Sequence, residues 1–145
     1  YFWTFTKGEE KMSKKILIID DSEPIVDSLI LLFEEFAEKE SFTLTRKVPI
    51  KSLGQAVSAI KEDSPDVILL DHNLGSDTGL EVLDKINIKG VEILSTSISV
   101  IISRELTETY RQKGVKHFPG KDFKNIRNCL HGNCGCYSPL ISLSS

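Results

Sequence analysis

An open parallel β-sheet with helices on both faces is the fold class the sequence predicts, and three observations predict it. Two short runs, Ile16-Leu17-Ile18-Ile19 and Val67-Ile68-Leu69-Leu70, are apolar without alternation and are each followed directly by aspartate. Such runs are the mark of strands buried on both faces. Strand and helix patterns then alternate as β-α-β-α-β-α-β-α-β-α, the order of an α/β sheet wound by right-handed crossovers. The chain has 145 residues, enough for one domain that buries ~68–70% of its unfolded surface and cramped for two. Five strands in this arrangement suit the order 2-1-3-4-5, with ligands at the carboxyl ends of the strands near the point where the winding reverses.

The elements follow in order. Ile16 to Ile19 forms the first strand, and Ser22-Glu23-Pro24 opens a helix, with proline in the first turn. Ile25, Val26, Leu29, Ile30, Phe33 and Phe36 make its buried stripe, opposite Asp27, Glu34, Glu35 and Glu38. Phe42 to Val48 alternates weakly as a second strand. Leu53, Ala56, Val57 and Ile60 mark a second helix that ends before Ser64-Pro65. Val67 to Leu70 is the third strand, and the turn from His72 to Thr78 leads into a helix carrying Leu80, Val82, Leu83 and Ile86, closed by Gly90. Val91 to Ser97 is the fourth strand, with apolar character extending through Ile98 to Ile102. Ser103 caps a fourth helix through Leu106 and Tyr110 that stops at Gly114. Val115 to Phe118 is a short fifth strand, and Asp122 to Leu130 a last helix.

Composition excludes several classes. Lys and Arg number 18 against 21 Asp and Glu, a formal net charge of −3, which lacks the basic excess of a nucleic-acid footprint. No apolar run approaches the ~20 residues that cross a bilayer. All three cysteines lie between Cys129 and Cys136, an odd count that makes no disulfide framework and suits a reducing cytoplasm. Cys129-x-His131-x-x-Cys134-x-Cys136 departs from the paired spacings of structural zinc sites and reads as a reduced tail. Residues 1–11 are expected to be a non-native or disordered extension. Lys7-Gly8-Glu9-Glu10-Lys11 has purine-rich codons of ribosome-binding character, and Met12 follows as the expected start. The domain is then 12–131 and the tail 132–145.

Chemistry gathers on the carboxyl edge. Strand one delivers Asp20 and Asp21, strand three Asp71, strand four Thr96 between Ser95 and Ser97, and strand five Lys121. Carboxylates this close repel and raise one another's pKa unless a cation joins them. Mg²⁺, a hard ion held by few carboxylates and several waters, is the natural partner, with positions left open for a phosphoryl group. Taken singly, Asp20-Asp21 would serve as a strand end and helix cap, and Asp71 as a turn residue. Lys121 alone is an ordinary surface lysine. Convergence gives these residues their meaning.

From about Lys14 to Leu130 the chain resembles the receiver domain of two-component response regulators, of the flavodoxin-like superfold. The carriers are Ile-Leu-Ile-Ile-Asp20-Asp21, Val-Ile-Leu-Leu-Asp71-His-Asn-Leu-Gly with Gly79-Leu80-Glu81, Ser-Thr96-Ser, and Gly114-Val-Lys-His-Phe118-Pro-Gly-Lys121. The resemblance implies that Asp71 accepts a phosphoryl group from a histidine kinase or phosphotransfer protein, a form of carboxylate covalent catalysis. It implies Mg²⁺ held by Asp21 directly, by Asp20 through water, by Asp71 and by the backbone carbonyl of Asn73. Lys121 would be a point charge on the phosphoryl oxygens, and Thr96 would hydrogen-bond the group and release Phe118 to swing inward. Ser103, the alternative hydroxyl, leaves too little chain for the following helix. Ile98 stands where the family tunes dephosphorylation.

Three positions depart from the family pattern: Asp122 follows Lys121 where proline is usual, Gly75 stands where proline is common, and Thr78 replaces an acidic residue before Gly79. Asp122 would compete for the charge of Lys121. The implied function is a stand-alone receiver whose chemistry is confined to phosphorylation and dephosphorylation of its own Asp71. It would signal by contact with a downstream protein, bind neither nucleic acid nor membrane, and offer a homodimer face from the fourth helix, fifth strand and last helix. Two other readings stand beside it. One is a pseudo-receiver docking module without phosphorylation. The other is a Mg²⁺-dependent phosphohydrolase, against which the adjacent Asp20-Asp21 differs from a D-x-D nucleophile motif.

Overall fold

The computed structural model describes residues 13–36 and 41–132. The expected extension at 1–11, the expected start at Met12, Glu38, and the tail from residue 133 with Cys134 and Cys136 lie outside them. Strands β1 (Lys14–Ile19), β2 (Phe42–Leu44) and β3 (Val67–Leu70) are joined by helices α1 (Glu23–Glu35) and α2 (Leu53–Asp63). A small hairpin, β4 (Asn73–Leu74) and β5 (Asp77–Thr78), leads into α3 (Gly79–Lys85). Strand β6 (Glu92–Ser95), α4 (Ile98–Ile101), α5 (Arg104–Gln112) and α6 (Phe123–Leu130) complete the order. Among the described residues no helix is long and apolar enough to cross a membrane.

The main sheet runs β2-β1-β3-β6 with every pair parallel, so the expected winding is observed through its first four strands. Alternation sorts the buried strand residues onto two faces. Leu17, Ile19, Ile68, Leu70 and Ile93 pack with Ala56 and Ala59 of α2, Val82 of α3, Val100 of α4 and Tyr110 of α5. Ile16, Ile18, Val67, Leu69 and Leu94 pack with Val26, Leu29 and Phe33 of α1 and with Ile126 and Leu130 of α6. The expected stripe of α1 is seen, with Val26, Leu29 and Phe33 buried.

Three expected strands are shorter than their sequence patterns. The fifth, Val115 to Phe118, makes a single parallel bridge between His117 and Leu94 in place of a ladder. Pro119 is the cause. The Ser95 N–H donates to the His117 carbonyl at 2.9 Å, and the next ladder bond should come from residue 119, which has no N–H. Gly120 donates to the Ser95 carbonyl in its stead, at 3.3 Å. The second strand ends at Leu44 because Arg46 turns towards the end of α2, clasping Asp63 at 2.7 and 3.1 Å and Glu62 at 2.7 Å. The fourth spans only Glu92–Ser95, because Ser97 becomes the first cap of α4 and places Thr96 in the turn.

Helix ends follow their sequence signals. The Ser22 hydroxyl accepts from the Ile25 N–H and Ser52 from that of Gln55. Thr78 and Glu81 form a capping box at the start of α3. Ser103 caps α5 by accepting from the Leu106 N–H at 3.1 Å.

Candidate functional site

Parallel pairing brings the strand ends to one rim. The Asp71 N–H donates to the Ile19 carbonyl and the Thr96 N–H to that of Leu70, each at 3.0 Å. Asp20, Asp21, Asp71 and Thr96 therefore leave neighbouring strands at one level, at the reversal between β1 and β3 where such sheets bind ligands. Carboxylate oxygens of Asp20, Asp21 and Asp71 all lie within 4.8 Å of one another. Lys121 reaches into the same space: its Nζ donates to Asp71 Oδ1 at 3.2 Å and to the Thr96 carbonyl at 2.9 Å, and stands 3.6 Å from Asp20 Oδ2.

Each acid has its own support. Asp20 is buried; its Oδ1 accepts from the Ser22 N–H at 2.9 Å, while Oδ2 is buried with no hydrogen-bond partner. Burial is the main force raising the Asp20 carboxyl above the usual carboxylate range, and the Asp71 and Asp21 charges add to it. Asp21 is more open, and its Oδ2 accepts from the Gly75 N–H at 2.9 Å. Gly75 has a φ of +65°, so a glycine in the left-handed region points an amide at the acidic pair. Proline in that place would have neither the conformation nor the donor.

An orphaned, buried carboxylate oxygen beside two more carboxylates is a donor set short of a cation. The Lys121 ammonium pairs with Asp71 and Asp20. The set is all oxygen and anionic, and it fits a hard divalent ion such as Mg²⁺. Asn73, whose backbone carbonyl the resemblance places in that set, opens the hairpin opposite Thr78. Asp77 ties the hairpin down, its Oδ2 accepting from the Leu53 N–H at 2.9 Å.

The other expected site residues are brought close in differing degrees. Thr96 is buried at the strand end. Phe118 is 3% exposed, with the Arg111 guanidinium 5.6 Å from its ring centroid, so it already occupies an inward position. Asp122 does not compete for Lys121: its Oδ1 accepts from the N–H groups of Lys124 and Asn125 and caps α6. Cys129 belongs to the core, where burial and the Glu92 charge push its thiol up to about 11, the reverse of a metal-ligating thiolate.

Sequence reasoning missed two features. The Gly75 amide on Asp21 had its signal in the glycine itself. The contact between His72 Nδ1 and the Tyr110 hydroxyl, at 2.6 Å, had none beyond the adjacency of His72 to Asp71.

A family model described as the response regulator receiver domain matches residues 16–127. No curated protein sequence gives a match. Solved structures are similar in fold. A CheY-like response regulator receiver domain protein from Methanospirillum hungatei JF-1 is 22% identical, with a TM-score of 0.63 and coverage of 83% of this chain and 96% of that one. A DNA-binding response regulator of the LuxR family from Staphylococcus aureus is 17% identical, with a TM-score of 0.69 and coverage of 84% and 99%. A two-component response regulator of the LuxR family from Aurantimonas sp. SI85-9A1 is 18% identical, with a TM-score of 0.69 and coverage of 90% and 94%.

Proposed function

The chain belongs to the response regulator receiver domain family, and from that premise we propose that it takes a phosphoryl group onto Asp71 and signals the change through protein–protein contact. The donor is the phosphohistidine of a histidine kinase or phosphotransfer protein, met in a reducing cytoplasm. One observation carries the reading: the Asp71 carboxylate sits in reach of both Lys121 and the acidic pair, 3.2 Å from the ammonium and within 4.8 Å of the Asp20 and Asp21 oxygens.

In this reading an Asp71 carboxylate oxygen attacks phosphorus and the P–N bond to the donor imidazole breaks. The imidazole leaves with that electron pair and takes a proton, and Asp71 becomes a mixed anhydride. Water later cleaves the anhydride and regenerates the carboxylate, so the chemistry is confined to the chain's own aspartate. Asp20, Asp21, Asp71 and the Asn73 carbonyl would hold Mg²⁺, which supplies positive charge to the acids and open positions to phosphoryl oxygens. Lys121, already bridging Asp71 and the Thr96 carbonyl, meets the charge that develops on the phosphoryl oxygens. Thr96 offers its hydroxyl to the same group. The outcome is read on the surface formed by α5, the 115–118 segment and α6, with Phe118 at its base.

The test is intact-mass spectrometry of the full chain after incubation with Mg²⁺ and acetyl phosphate, alongside Asp71→Asn. One acid-labile phosphoryl adduct on the wild type and none on the variant is expected. Equal labelling of Asp71→Asn would remove Asp71 as acceptor. No adduct together with no binding of beryllofluoride would leave a docking module, and turnover of an aryl phosphate would make the chain a phosphohydrolase.

A further inference from the structure

Tyr110 is the largest of the fully buried side chains, yet its hydroxyl is turned towards the phosphoacceptor turn. The ring belongs to α5 and the core; the oxygen lies 2.6 Å from Nδ1 of His72, the residue after Asp71. The rings meet edge to face, with centroids 5.7 Å apart. Gly79 makes the space: a Cβ there would lie 2.7 Å from the Tyr110 oxygen and 2.5 Å from the Asp71 carbonyl. The Gly79 N–H also donates to the His72 carbonyl at 2.8 Å. The turn after Asp71 is thus fastened on one side by its own backbone and on the other by a helix remote in sequence.

That helix touches the output surface. The Thr107 hydroxyl of α5 donates to the Val100 carbonyl of α4 at 2.6 Å, and Arg111 of α5 lies over Phe118. We propose that Tyr110 is a positioning residue for the phosphoacceptor turn, and that its hydrogen bond to His72 carries the occupancy of Asp71 directly to α5, beside the route through Thr96 and Phe118. The inference rests on the phosphoacceptor reading of Asp71. His72 is one peptide bond from the acceptor, so a displacement of the Asp71 backbone displaces Nδ1. A short bond to a buried hydroxyl has little slack, so α5 follows or the bond breaks. Coupling of this kind is reciprocal: whatever the acceptor does to α5, the placement of α5 does to the affinity of the acceptor.

The experiment compares the full-length wild type, Tyr110→Phe and His72→Leu, each with and without Mg²⁺ and beryllofluoride. Bound fluoride is followed by fluorine NMR, and hydrogen exchange is read in peptides covering 104–112 and 115–122. The wild type is expected to bind the analogue and to slow its exchange in both segments. Both variants are expected to keep the bound-fluoride signal and the response at 115–122, lose the response at 104–112, and bind the analogue about fivefold or more weakly. His72→Leu breaks the same bond from its half-exposed end, so it decides the matter alone if Tyr110→Phe does not fold. A wild-type response at 104–112 in either folded variant, even at a lower melting temperature, reduces Tyr110 to core packing and overturns the proposal. Fluoride bound by the wild type without any response at 104–112 overturns the coupling and spares the phosphoacceptor reading. Failure of the wild type to bind fluoride overturns both.

Discussion

Replacing Asp20 by asparagine should stabilise the metal-free protein and abolish its response to Mg²⁺. Asp20 is 2% exposed, its Oδ1 is satisfied by the Ser22 N–H, and its Oδ2 is buried without a hydrogen bond. Lys121 at 3.6 Å offsets part of the cost, but the carboxyl is still held above its usual range, by burial first and then by the Asp71 and Asp21 charges. The charge is therefore a net burden on the folded state. Asparagine keeps the acceptor for Ser22 and turns an amide N–H towards the neighbouring carboxylates. Relief of one orphaned buried oxygen is worth about 1–2 kcal/mol, or a rise in Tm of roughly 4–8 °C at this size. Mg²⁺ acts in the other direction. At a hundred times its Kd a ligand bound only by the folded state adds about 2.7 kcal/mol, a gain open to the wild type and closed to the variant. Thermal melts with and without Mg²⁺ should thus reverse in order. The sign in pH follows: a carboxyl whose folded pKa is raised contributes stability below its unfolded value that is lost as pH rises through the folded one. The metal-free gap between the two proteins should close as the pH is lowered through that window. An Asp20→Asn variant that melts below the wild type without metal would refute the reasoning, because it would show the Lys121 pairing to outweigh burial.

Asp122→Ala should cost about 1 kcal/mol, the worth of an N-cap, read as a lower urea midpoint with Asp71 labelling unchanged, since among the described residues the Asp122 carboxylate bonds the N–H groups of Lys124 and Asn125 and not Lys121. Gly75→Ala should cost about 1–2 kcal/mol for holding a side chain in the left-handed region, and its Cβ would also press 2.9 Å from the Lys51 carbonyl; denaturant unfolding measures this. Arg46→Ala should cost about 1 kcal/mol or less, because its acidic partners are partly solvated. Asp63 is held below the usual carboxylate range by Arg46, so the contribution is complete above the unfolded value and is lost as pH falls through the lower folded one. Melts across acid pH should show the wild type losing that advantage there and nowhere else.

The parts of the fold visible in the sequence were those set by local pattern. Unalternating runs at Ile16–Ile19 and Val67–Leu70 announced doubly buried strands, and Ser22 and Ser103 announced helix starts, because caps and burial periods act over a few residues. The length of strands two and five was not visible, because it depends on partners. Arg46 leaves its strand to meet Asp63, which lies seventeen positions away. Pro119 interrupts a ladder whose register is known only once His117 has found Leu94. The convergence of Asp20, Asp21, Asp71, Thr96 and Lys121 was visible for a topological reason: a parallel sheet delivers every strand's carboxyl end to one rim. Tyr110 at His72 was not, because nothing in an amphipathic helix says which neighbour a buried hydroxyl will find.

The three departures from the family pattern have a common physical account. Each exchanges a residue that constrains the backbone or adds charge for one that makes a specific hydrogen bond. Gly75 brings an N–H to Asp21 where proline would bring none. Thr78 accepts from the Glu81 N–H while the Glu81 carboxylate accepts from that of Thr78, so the first turn of α3 is capped and its acid lies one turn further on. Asp122 spends its carboxylate on two backbone N–H groups of α6, and a carboxylate so engaged at a helix N-terminus is held by the helix as well. Its neighbour Lys121 is accordingly free to reach Asp71, Asp20 and the Thr96 carbonyl. The substitutions that set this chain apart along its sequence leave the acidic rim with its ammonium in place, and the one at Gly75 adds a donor to it.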